Sequence, residues 1–320
     1  MPSAVPTAAP TASMRPAVAR VLTEAAHERP GLVVLGADGH GLAMGVRSAF
    51  PERYIDVGIA EPNLVGVASG LARAGHAVVV GTMAPFLVRR AQEQIRNDVC
   101  NPNLDVTFLG VGGGLGYGTL GPTHHAPEDL GSFAAMPNTL VLCPADATEA
   151  AWAVREALDW PGPAYVRLGA REDAVLYPDT EPFDLGRGRP LRPARDALAL
   201  AMGAGVAVAL RAADRLAADG VGLGVLALSA LKPFPADEIR AAAASTGVVA
   251  VVEEHLDATG LAARTALALA GTWRGRFLVH ALDDRYPPVG DRAELLAFYG
   301  VDARSVGSAV RAAAACGGTP

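Results

Sequence analysis

Three short segments carry side chains that could do chemistry. The first is GIAEPN at 58–63, where a strand-like run gives way to the helical run LVGVASGLARAG. Glu61 stands at that junction. A carboxylate in a first helical turn complements the helix dipole. A partly buried one beyond the end of a strand can instead hold a proton and donate it to a ring nitrogen. The second segment is VGGGLGYGTLGPTHHAPEDL at 111–130. Its glycines allow sharp turns and close approach of backbone to a ligand. Two adjacent imidazoles, His124 and His125, follow at the mouth of the loop. Paired histidines suggest a metal, with Glu128 and Asp129 as further donors. The HExxH helix geometry is missing and no third ligand stands at the right spacing, so no metal site is assigned. Nor is the run a Walker A loop, since no GK[ST] follows. It does not open a βαβ unit with an acid about 20 residues on, as a dinucleotide fingerprint does. The third segment is GTMAPFLVRRAQEQIRND at 81–98, with Phe86, Arg89, Arg90 and Arg96 at helical or near-helical spacing. Taken alone, it reads as a helix with one core aromatic and a solvated basic face.

Composition bounds what these segments can belong to. The 320 residues are 51% hydrophobic, enough at roughly 150 residues per domain for two domains with a substantial core. Lys and Arg number 27 against 33 Asp and Glu, a net charge of −6. Nucleic-acid binding would call for a basic stripe, which this balance argues against. Cys100, Cys143 and Cys316 are odd in number and far apart, so they form neither a disulfide framework nor a metal knuckle. A reducing compartment follows. The start, MPSAVPTAAPTAS, lacks the basic and apolar regions of a signal peptide. No apolar run reaches the ~20 residues that span a bilayer. The expectation is a cytoplasmic protein with no membrane association.

The elements that must position these residues alternate. Apolar runs at 32–36, 53–58, 77–82, 105–111, 139–143 and 164–168 read as strands, with helical patterns at 62–74, 85–98 and 146–159 between them. This implies a mostly parallel sheet with helices on both faces. Pro62 suits a first helical turn, and Asp146 with Glu149 three residues on reads as a capping box. The stretch 171–195 is rich in Pro, Gly and charge and reads as an interdomain linker. Beyond it strands at 197–202, 221–228, 247–254 and 276–282 alternate with helices at 205–218, 235–245, 260–270 and 303–315, a second, smaller α/β domain. The division is a flexible tail 1–13, a first domain 14–172, a linker 173–195 and a second domain 196–320.

Taken in order, the segments resemble the C-terminal half of transketolase, and in particular the split form in which two chains share one enzyme. The resemblance rests on GADG (36–39), VGIAEPNLVGVASGLA (57–72), GTMAPFLVRRAQEQIRNDV (81–99), GYGTLGPTHHAPEDLG (116–131), CPADATEA (143–150), ALSALKPFP (227–235) and VVEEHLDATGLAARTA (251–266), spanning about residues 15–315. It implies a thiamine-diphosphate pyrimidine-binding domain followed by a transketolase C-terminal-like domain. Carried over residue by residue, Glu61 contacts the aminopyrimidine N1′ and promotes the tautomer that removes the thiazolium C2 proton. Phe86 stacks on the pyrimidine and Met83 is a second aromatic-type position. His124 lies near the reacting centre and His125 assists it. Tyr117 and Arg89 are further site positions. Arg167 and Arg171, in YVRLGAR, resemble a phosphate-binding pair of the related deoxyxylulose-phosphate synthases, or else are solvated arginines opening the linker.

Two departures concern the substrate. Cys143 stands where the family commonly has a phosphate-holding Arg, a thiol in place of a bidentate cation. Leu120 stands where an acid often reads a substrate hydroxyl. The GDG…Asn motif that holds the diphosphate and Mg²⁺ is not matched. The resemblance therefore implies that this chain binds only the pyrimidine end, and that a separate N-terminal transketolase subunit supplies the diphosphate and Mg²⁺ surface, two copies of each chain forming a heterotetramer. The implied reaction is transfer of a two-carbon ketol unit from a ketose, or its phosphate, to an aldehyde or other acceptor, in a specialised biosynthetic route. A 2-oxo acid dehydrogenase β subunit, a deoxyxylulose-phosphate-synthase-like decarboxylase and a non-catalytic regulatory homologue are the alternatives.

Overall fold

Continuous apolar runs such as LVVLG are satisfied in a sheet covered on both faces. The computed structural model, which describes residues 10–39, 41–178 and 183–315, places them there. Its strands are β1 (Thr11–Ser13), β2 (Leu32–Gly36), β3 (Tyr54–Asp56), β4 (Ala77–Met83), β5 (Val106–Val111), β6 (Leu140–Leu142), β7 (Ala164–Leu168), β8 (Glu172–Ala174), β9 (Gly188–Arg192), β10 (Ala197–Met202), β11 (Leu223–Leu228), β12 (Ala230–Lys232), β13 (Val248–Leu256) and β14 (Arg276–Leu282). The larger sheet runs β12-β6-β7-β5-β4-β2-β3. It is parallel except for β12, which pairs antiparallel with β6. The second sheet runs β14-β13-β10-β11-β9, with β9 antiparallel at one edge.

Alternate residues along a strand serve opposite faces, and the core divides accordingly. Val33, Leu35, Val78, Val80 and Phe108 pack on one side, while Leu32, Val34, Val79 and Leu109 pack on the other beneath the helices Met14–Glu28 and Ala147–Asp159. The first of these cores is continuous with Leu198, Leu200, Val249 and Val251 of the second sheet. The two domains thus share apolar surface and are not beads on a linker.

Strands 164–168, 197–202 and 276–282 and helices 205–218 and 303–315 occupy the residues read from sequence. Other stretches differ. The helix expected over 85–98 breaks into Ala84–Arg90, Gln92–Gln94 and a wider π-type turn, Ile95–Cys100. The stretch 173–195 is not a plain linker, because it contributes β9 to the second sheet, and β8 borders it. Pro190 in β9 is tolerated because this is an edge strand. Part of the expected tail, Thr11–Ser13, pairs with β8, and residues 1–9 lie outside the described residues. Strands of three residues are too short to show a period. β12 follows the linker yet completes the first sheet, a choice made by tertiary contact. The helices Met14–Glu28, Met44–Ala49, Asp129–Ala134 and Arg292–Phe298 are also absent from the sequence reading. Asp146 does cap its helix by accepting from Glu149 N, but the Glu149 carboxylate accepts from Ala145 N and Ser229 instead of closing the box.

Candidate functional site

β2 connects to β3 on one side and β4 connects to β5 on the other, so the crevice beyond the carboxyl ends of β2 and β4 is a topological switch point, where α/β sheets bind ligands. A cleft of about 450 Å³ opens there, walled by Ala37 and Asp38 after β2, Thr82 and Met83 at the end of β4, and Glu61, Phe86, Arg90 and Tyr117. Glu61 points inward for a reason legible in its helix. Glu61–Arg73 buries positions 61, 64, 65, 68 and 69, an i, i+3, i+4, i+7, i+8 stripe. Glu61 heads that stripe and is 2% exposed. Both its oxygens accept from Arg90 Nη1, at 3.2 and 3.1 Å. The Arg90 guanidinium lies 4.0 Å over the ring of Phe86, its i−4 neighbour.

The glycine-rich loop supplies the opposite wall. Gly112 has φ +76°, and a Cβ there would stand 2.1 Å from Cε2 of Tyr117. Glycine is therefore what lets the tyrosine ring fold back over the strand end. The Tyr117 hydroxyl accepts from Arg15 Nη2 at 2.6 Å. His124 meets Phe86 edge-on at 5.2 Å between centroids and Tyr117 at 6.5 Å. Its Nδ1 lies 2.9 Å from the Thr123 hydroxyl.

Of the residues read as site positions, Glu61, Phe86, Met83, Tyr117 and His124 come together. The others do not. His125 turns into the protein: it is 4% exposed and its Nε2 reaches Gly118 O at 3.1 Å. Burial pushes its pKa below the ordinary histidine value. Arg89 leaves the cleft and pairs with Glu128 at 2.5 Å. On this short helix the i+4 position, Arg90, faces the ring of Phe86. Arg167 lies between the domains and not in this cleft, donating to Asp129 at 2.9 and 3.0 Å and to Glu254 O at 2.7 Å. Arg171 lines a different cleft, of about 380 Å³, between the loop and the second domain. Cys143 is buried beside Arg167, and burial lifts its thiol to about 12. The sequence reading missed Arg15, Asp38 and Arg90. Only Arg90 left a signal, its spacing from Phe86.

The wall fits a flat aminopyrimidine. A buried carboxylate, an aromatic face and the thioether of Met83 offer one hydrogen-bonding point and apolar contact around it. Arg15 and Arg90 bring positive charge to the same cleft. Among the described residues no three His, Cys, Asp or Glu side chains cluster as metal ligands would, and no helix is long and apolar enough to cross a membrane.

A family model described as the transketolase pyrimidine-binding domain matches residues 10–172, and one described as the transketolase C-terminal domain matches 186–306. One of the subunits of the apulose-4-phosphate transketolase of Actinobacillus succinogenes is 33% identical over 80% of this chain and 83% of its own. A 1-deoxy-D-xylulose-5-phosphate synthase of Geobacter metallireducens is 36% identical over 86% of this chain, but that match covers 44% of the synthase. Among solved structures, a split-gene transketolase described as an inactive β4 tetramer superposes with a TM-score of 0.85 at 34% identity, covering 95% of this chain and 98% of that one. The chain belongs to the transketolase family, of which it carries the pyrimidine-binding and C-terminal domains.

Proposed function

We propose that this chain is the C-terminal subunit of a two-chain, thiamine-diphosphate-dependent transketolase that moves a two-carbon ketol unit from a ketose phosphate to an aldehyde or other acceptor. The observation that carries the reading is Glu61, buried in the wall of a cleft that also presents Phe86, whose ring meets His124 edge-on. When bound, thiamine diphosphate supplies the nucleophilic carbon that breaks and remakes the carbon–carbon bond. Both Glu61 oxygens accept from Arg90 in this structure, so Glu61 would hold a proton against a pyrimidine ring nitrogen only once Arg90 turns aside. Phe86 offers its face to the ring. His124, held by Thr123, and Tyr117, held by Arg15, are the groups assigned to a substrate's hydroxyls and carbonyl, a role supported by the two contacts that fix their side chains.

A partner subunit holds the diphosphate and Mg²⁺, with two copies of each chain. Support comes from the name of the Actinobacillus relative, which makes it one subunit of its enzyme, and from the split-gene neighbour. The relative's name also supports a sugar phosphate as substrate. The test mixes the chain with its N-terminal partner, thiamine diphosphate, Mg²⁺ and a ketose phosphate. Glu61→Ala should lower turnover by about 10²–10⁴-fold; wild-type turnover in that variant sinks the mechanism. The synthase relative favours a second reading, a decarboxylating carboligase. Release of CO₂ from pyruvate, with no aldehyde released from any ketose, would replace the first reading by the second.

A further inference from the structure

Among the described residues, none of those walling the Glu61 cleft comes from the second domain. That domain nevertheless grips the loop that carries Tyr117 and His124. Glu254, near the end of β13, accepts the backbone N–H of Leu115 on Oε1 at 2.7 Å. Leu115 is 0% exposed and packs against Leu282 and Leu295. The Glu254 carboxylate is fixed in turn by Arg292, which donates Nε at 3.1 and 3.2 Å and Nη2 at 2.5 Å, and ties the group to Asp173 through Nη1 at 3.0 Å. The fit leaves no slack. A Cβ at Gly114, φ +62°, would stand 2.8 Å from Cγ of Glu254, and one at Gly118 would stand 2.5 Å from Gly290 O. Between these two clamped glycines the chain has to project Tyr117 into the cleft. Ala126, just beyond the two histidines, is bridged back to Gly114 by N–H···O bonds of 3.0 and 2.8 Å.

We infer that Glu254, held by Arg292, is a positioning residue for the reaction: it takes the Leu115 amide so that the loop presents Tyr117 and His124 to the cleft. The inference rests on the transketolase reading above for its catalytic consequence, and on the Leu115 bond for its structural one. A buried amide that loses a charged acceptor is driven to seek another partner, and here the nearest freedom lies in the loop. The second domain thereby becomes part of the catalytic apparatus without touching the substrate.

The test uses the two-chain complex with Glu254→Ala and Glu254→Gln. Amide exchange across 112–121 should quicken about 10- to 100-fold in Glu254→Ala, and kcat should fall by a similar factor. The thiamine diphosphate Kd, measured by calorimetry, should stay within about threefold, because Glu61 and Phe86 are untouched. Glu254→Gln keeps an oxygen for the Leu115 N–H and should recover at least about tenfold of the kcat loss and restore exchange protection. The inference is overturned if kcat is unchanged in Glu254→Ala. It is equally overturned if cofactor affinity collapses along with kcat, or if Gln and Ala are impaired alike. A wild-type complex with no ketol transfer would remove the proposed function, while the exchange data would still decide whether Glu254 holds the loop.

Discussion

Asp129 is 0% exposed, and its carboxylate is tolerable there because Tyr165 donates its hydroxyl at 2.6 Å and Arg167 donates from two nitrogens. Arg167 also reaches Glu254 O, and its Nη2 lies 2.9 Å from His255 Nδ1. This arginine is a buried fastener between domains. Removing one partner of such a pair leaves an unpaired charge in the interior. Arg167→Met should therefore destabilise the protein by about 3–5 kcal/mol, read from the urea midpoint. Adding Asp129→Asn should restore a substantial part of that loss. A soluble, fully stable Arg167→Met protein whose sole defect is a raised KM for a phosphorylated substrate would return Arg167 to the phosphate role that its YVRLGAR setting suggests.

The elements that carry chemistry were legible to the degree that their period was. The stripe that turns Glu61 inward is a helix period, and the strands that define the switch point are apolar runs. Both are local signals. Arg89 and Arg90 show the limit: the choice between adjacent arginines depends on where the helix from Ala84 breaks, and the break after Arg90 leaves no mark in composition. Arg15 reaches Tyr117 across 102 positions of sequence, which no local pattern encodes. Arg167 stands outside the Glu61 cleft for the same reason, since its contact with a second domain is invisible in the segment itself. The glycine-rich loop lies between these cases. Its glycines announce unusual backbone, and the structure specifies the need at Gly112, where φ is +76° and Tyr117 occupies the Cβ position. Gly112→Ala should displace Tyr117 and cost about 1–3 kcal/mol of stability, because the conformation is strained for any L side chain and the ring must move. Turnover should fall further than stability alone explains. Full activity with unchanged melting would show that the ring position does not matter.

At the scale of the molecule, burial sets two groups of titrating side chains against each other. Burial raises Glu149 and Glu253 from 4.5 to about 7. A carboxyl raised on folding contributes stability that is fully present below about pH 4.5 and lost as pH climbs through about 7. Burial lowers His125, His255 and His280, the second also through Arg167. Their contribution is present above about pH 6.5 and lost as pH falls. Across about pH 4.5 to 7 the two slopes oppose, so the intact protein should show a weak pH dependence that conceals large individual terms. Glu149→Gln exposes one of them. Glu149 lies at the start of the helix Ala147–Asp159, outside the cleft, and accepts from Ala145 N at 2.6 Å. The amide keeps one acceptor and cannot ionise. Relative to the unaltered protein, the variant should gain stability between about pH 5 and pH 8 by up to about 3 kcal/mol, the energy of a shift of that size. Urea midpoints of both proteins at the two pH values measure this. A difference between variant and parent that is the same at both would show that Glu149 titrates alike in the folded and unfolded chains, and the opposition of carboxyls and imidazoles would lose one of its two acids.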